Sequence, residues 1–126
     1  MTANRMLIRP TIKIDKPAAT MMEQFQNEVL RPVIKMQNDL VLDIYKHFLL
    51  KRKVPFNGMS IPKRKEWIAN SLSKDNRLRG IMLGSIVGHF TKEEWAFYAD
   101  HEGEVRRRII NLITQRLQDQ MKALLE

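Results

Sequence analysis

Three glycines recur at every fourth position in the stretch GIMLGSIVGHF, at Gly80, Gly84 and Gly88. Glycine at such spacing serves three kinds of chemistry: amides that cradle phosphate, helices that touch inside a membrane, and soluble helices approached closely by another backbone. A dinucleotide fingerprint needs GxGxxG between a strand and a helix, and a Walker loop needs GxxxxGK followed by Ser or Thr; neither spacing is present. The membrane spacing is right, since residues four apart share a helix face. The host is wrong, because Arg77 and Arg79 precede the run, His89 closes it, and the apolar stretch falls short of the roughly 18 residues a spanning helix needs. What remains is a soluble helix in which each interior glycine costs about 1 kcal/mol against alanine. Leu78, Met82, Leu83, Ile86, Val87 and Phe90 make its core face, and the glycines line a neighbouring strip beside Ser85 and Arg77. That strip predicts close packing of Gly80, Gly84 and Gly88 against another backbone, from this chain or from a second copy.

The remaining reactive side chains converge poorly. His47 follows Asp43 by one helical turn, and His101 sits in Asp100-His101-Glu102. Neither HExxH nor the Glu-x-x-His pair of di-iron bundles occurs, GxSxG is missing, and the lack of cysteine removes thiolate chemistry. No cofactor, metal site or catalytic set is expected. Three polar residues do fall on apolar helix faces: Gln37, Arg116 and Gln120. A buried polar group left unpaired costs on the order of 1–3 kcal/mol. These three are therefore read either as a structural hydrogen-bond network or as the lining of a polar pocket for a small ligand, with Asp43 and His47 nearby.

Charge is distributed in poles. Of the net +8, residues 51–79 hold nine basic side chains against Glu66 and Asp75, whereas residues 91–104 hold five acidic ones against Lys92 alone. Lys51, Arg52, Lys53, Lys63, Arg64, Lys65, Arg77 and Arg79 are the candidates for contact with phosphates or with an acidic protein surface. The two helices of this stretch resemble a helix-turn-helix in outline, but the second offers glycines and aliphatics where base-reading side chains belong.

The elements that must position these residues can be read from caps and periodicity. Thr20 with Glu23 has capping-box spacing and opens a helix that should kink or break near Leu30 and Arg31, ahead of Pro32. From Pro32 to about Lys51, Val33, Ile34, Leu40, Val41, Ile44, Tyr45 and Phe48 recur at helical spacing. Residues 54–58 read as a turn, Ser60 and Pro62 open the next helix, and Asp75 or Ser73 caps the glycine helix. Thr91 and Glu94 make a second capping box before Trp95, Phe97 and Tyr98, and a last helix runs from about Glu104 to Ala123. Residues 1–18 carry two prolines and the short alternation Ile12-Lys13-Ile14-Asp15, which suggests an extended arm. The expectation is an all-α chain: a compact bundle of five or six helices over residues 19–126, with an extended N-terminal arm over 1–18.

At 126 residues and 44% hydrophobic content, the chain has room for one core. With no spanning segment and no apolar run of signal-peptide length near Met6, Leu7 and Ile8, a cytoplasmic protein is expected, without membrane contact. The blocks RPVIKMQNDLVLDIY, GSIVGHFTKEEWAFY and RRRIINLITQRLQDQ resemble those of small helical proteins of Bacteroidetes-type bacteria that lack an established activity and are sometimes labelled "glyoxalase". The likeness spans roughly residues 28 to 120 and implies a cytoplasmic bacterial protein; it carries no functional residues over. A glyoxalase metal site would need His and Glu presented from strands, which this sequence does not offer. The functional expectation is a non-catalytic interaction module that self-associates, as a homodimer, and engages an acidic partner through residues 51–79. The alternatives are non-specific nucleic-acid binding by the same residues, and an enzyme or ligand binder with a polar pocket.

Overall fold

A computed structural model describes residues 20–125, and among these every regular element is helical. The expected arm over residues 1–18 lies outside the described residues. Helix α1 runs through Met21–Phe25, a π-helical turn Gln26–Leu30, and Arg31–Met36. It is followed by α2 (Asn38–Lys51), α3 (Ile61–Lys74), α4 (Asn76–Val87), α5 (Lys92–Asp100), α6 (Glu102–Asp119) and α7 (Met121–Leu125). Seven helices replace the five or six expected.

The helix starts form as their sequences dictate. Thr20 Oγ1 accepts the Glu23 amide at 3.0 Å, Ser60 accepts that of Lys63, and Asp75, rather than Ser73, accepts that of Leu78 at 2.9 Å. At α5 both halves of the capping box are made: the Glu94 amide donates to Thr91 Oγ1, and the Thr91 amide donates to Glu94 Oε1 at 2.8 Å.

Two boundaries differ from the sequence reading. Pro32 does not break α1; the Arg31 amide reaches back five residues to Gln26 O, and the widened turn carries the proline past the carbonyl it would otherwise strike. The break comes at Gln37 (φ −92°, ψ 11°). A second interruption at Gln120 (φ −114°, ψ 40°) splits the expected last helix into α6 and α7. Both residues are polar positions on an otherwise apolar face, and both sit at helix ends, where a side chain can reach backbone groups freed by the bend.

Helix α6 is central. Val105, Ile109, Ile113 and Leu117 are fully buried along one side of it, each stabilising by about 1.5–3 kcal/mol through burial. It packs against α1, α3, α4, α5 and α7, whereas α2 packs mainly against α4 and α7. An aromatic group closes the end near α5: Phe25 stacks on Phe97 with centroids 4.5 Å apart and meets Phe90 edge-on at 5.7 Å.

Candidate binding groove

Helices α2 and α4 run antiparallel, tied together at both ends by polar contacts. At one end the Gln37 side-chain amide donates to Ser85 O at 3.1 Å and lies 2.8 Å from His89 Nε2. The amide nitrogen can only donate, so His89 Nε2 is the acceptor. At the other end Arg52 pairs with Asp75, the N-cap of α4, while its guanidinium lies 5.2 Å from the Phe48 ring centroid. Between these clasps the helices part, leaving a groove of about 550 Å³. Its apolar lining is Leu40, Ile44 and Phe48, one turn apart along α2, with Leu78 and Ile81 from α4. Leu40 remains 45% exposed and Ile81 50%. Asp43, His47, Lys51 and Arg77 stand on the rim.

This volume is within the range of small-molecule and side-chain pockets, and the mix of apolar surface with few polar groups is that of a binding site. Its charges do not form a catalytic set. Among the described residues no hydrogen bond joins Asp43 to His47, so the histidine has no orienting partner, and Arg52 with Asp75 is a closed pair. Lys51 and Arg77 have no ion-pair partner among the described residues. No family model, curated protein or solved structure matches the chain. The groove therefore has to be read from its own chemistry.

The glycine strip adjoins it. Gly80 follows the rim residue Arg77 by three positions and Gly84 follows Ile81 by three, so both continue the groove wall along α4. All three glycines are exposed, and a Cβ on Gly80 or Gly84 would meet open space. The close packing expected of the strip is thus not made by any described part of this chain. Gly88 differs: a Cβ there would lie 3.0 Å from Gly84 O, inside its own helix.

The expected polar pocket divides. Arg116 and Gln120 do come together, around Asn38: Arg116 Nη1 and Gln120 Nε2 donate to Asn38 Oδ1 at 3.2 and 2.7 Å, and Asn38 Nδ2 donates to Gln120 Oε1 at 2.9 Å. Gln37 turns away to the α4 clasp. Arg116 also lines a hollow of about 190 Å³ with Arg31 and Asp119, but neither glutamine does.

The basic set divides as well. Arg64 is occupied by the backbone oxygens of Phe56 and Asn57 at 2.9 and 2.8 Å and sits over the Phe56 ring, so it braces the 54–58 turn. Arg52 is clasped by Asp75, and Arg79 is half-buried. Lys51 and Arg77 face the groove; Lys53 faces a second hollow, of about 620 Å³, with Leu50 and Leu125; Lys63 and Lys65 are exposed on α3. The groove itself was absent from the sequence reading. Its one signal is Ile81, an aliphatic residue that falls outside the core face of α4.

Proposed function

We propose that the protein is a non-catalytic interaction module that self-associates through the α2–α4 groove. The observation that carries this reading is the open apolar floor of Leu40, Ile44, Phe48 and Ile81 between two closed polar clasps. An apolar surface held open by hydrogen bonds at both ends is suited to receive another apolar surface. The glycine strip adds support, since the two helix-interior glycines, Gly80 and Gly84, cost roughly 2 kcal/mol relative to alanine and gain no packing within the described chain. An acidic partner fits the rim, where Lys51 and Arg77 are unneutralised. Nucleic-acid binding draws less support, because Arg52 and Arg64 are held by the protein's own acceptors. A cytoplasmic bacterial setting, the one implied by the sequence resemblance, belongs to the same proposal. Among the described residues no helix is long and apolar enough to cross a membrane.

Sedimentation velocity of the full chain over a range of concentration and salt tests the reading. Self-association is expected, weakening as salt rises and lost in Ile81→Glu, which places a carboxylate on the groove floor. A monomer at every concentration would dispose of it.

A further inference from the structure

Lys53 takes the left-handed backbone conformation (φ 53°) just past the end of α2, the position that glycine ordinarily fills. No other non-glycine among the described residues has a positive φ. The bend it makes leads α2 into residues 54–58, and between that turn, α2 and α7 lies the hollow of about 620 Å³. Its apolar lining includes Leu49, Leu50, Phe56, Leu124 and Leu125. Leu50, at 79%, is the most exposed large hydrophobic side chain among the described residues. A concavity of this size and lining is that of a small-molecule site.

Charge selects the ligand. The charged residues of the lining are Lys46 and Lys53, and neither has an ion-pair partner among the described residues. In the α2–α4 groove Asp43 stands beside the cations, and in the α1–α6 hollow Asp119 does; here no carboxylate is in the lining. Asp39 shares this side of α2 but is seven residues from Lys46, roughly 10 Å along the helix, a separation at which salt screens most of its effect. Lys122, exposed on α7, adds to the positive sign. The backbone oxygens that would repel an anion are taken up by the chain itself. Those of Leu49, Leu50, Val54 and Pro55 each accept a backbone amide of the same turn, and those of Phe56 and Asn57 accept the Arg64 guanidinium.

We propose that this hollow binds a medium-chain aliphatic carboxylate, its head held by Lys46 and Lys53 and its chain laid along Leu50 and Leu125. Long lysine stems let both ammonium groups reach one head from positions seven residues apart. The site is separate from the α2–α4 groove and stands whether or not the chain self-associates.

Titration calorimetry and thermal melting of the full chain test this with octanoate, with acetate as the head alone and octanol as the chain alone. Octanoate should bind one-to-one and raise the melting temperature, acetate should do neither, and octanol should bind at least about tenfold more weakly, the loss of one charge-assisted contact. Lys53→Gly should melt no lower than the unaltered chain, because glycine takes that φ freely, yet bind octanoate at least about tenfold more weakly. Lys46→Met, within the regular helix, should show the same loss and carries the test if Lys53→Gly is destabilised. Amide chemical shifts should change most at residues 53–58 and 124–125. Octanol binding as tightly as octanoate, full affinity in both lysine variants, or no octanoate binding at all overturns the inference. Shift changes centred on residues 78–84 place the ligand in the α2–α4 groove and overturn it as well.

Discussion

Tyr45 is fully buried, and the direction of its hydrogen bond is fixed by its neighbour. Ser71 gives its only hydroxyl hydrogen to Ile68 O, so at the 2.8 Å contact between the hydroxyls the tyrosine must donate. Burial pushes its phenol up to about 12. The folded state therefore holds this proton more tightly than the unfolded chain, where tyrosine ionises near 10. Stability from this site is intact below about pH 10 and falls as pH rises from about 10 to about 12, by roughly 2–3 kcal/mol in all. Urea unfolding across that range should show the loss in the unaltered chain. Tyr45→Phe should start about 1 kcal/mol less stable at neutral pH and lose less on going alkaline. Equal alkaline slopes in the two proteins would contradict the assignment. Glu104 shows the converse effect: hydrogen bonds from Arg107 and Arg108 hold its carboxyl down to about 2. Its contribution is present above the ordinary carboxylate range and fades as pH falls towards 2. Arg108 also donates to Gln26 Oε1 at 2.8 Å, so this carboxylate steadies the side chain that reaches the π turn of α1.

At the scale of elements, α4 carries a testable conflict between local stability and association. Alanine at Gly80 and Gly84 meets open space and restores helix propensity, so each replacement should stabilise the monomer by about 1 kcal/mol. Gly88→Ala should gain less, because its Cβ crowds Gly84 O. Thermal melting of the three single variants gives the order, and a destabilised Gly80→Ala would show that something already covers that position. If a partner helix lies on the strip, the same two methyl groups should weaken its docking while they strengthen the fold. Caps and helix phases were legible in the sequence because they depend on residues three or four apart, as at Thr20, Ser60, Asp75 and Thr91. The breaks were not. Gln37 and Gln120 end their helices in concert with Ser85 and Asn38, partners far away in sequence, while Pro32, the strongest local signal for a break, was absorbed by one π turn. The groove was hidden for a related reason. Leu40, Ile44 and Phe48 stand one row round α2 from Val41, Tyr45 and Leu49, and periodicity cannot tell which row the rest of the chain will cover.

For the whole molecule, the Asn38 network joins the two interruptions to each other, fastening the α1–α2 bend to the α6–α7 bend. Its three residues are half-buried. Asn38→Ala leaves Arg116 and Gln120 without that partner and should cost about 1–3 kcal/mol. The loss should be unevenly spread. Helix α7 has five residues and a single buried side chain, Leu124, so its amides should exchange with solvent well before those of α6. Uniform acceleration across the molecule would mean that the network holds the fold as a unit instead.

Helix α6 has a further consequence, for the order in which the protein is made. Helices α1, α3, α4 and α5 precede it in the chain, yet each buries part of its apolar face against it. As they leave the ribosome these segments have no common partner, and short isolated helices are only marginally stable in water. Folding should therefore wait until residue 119 has emerged, and a nascent chain stalled short of that point should remain sensitive to protease throughout.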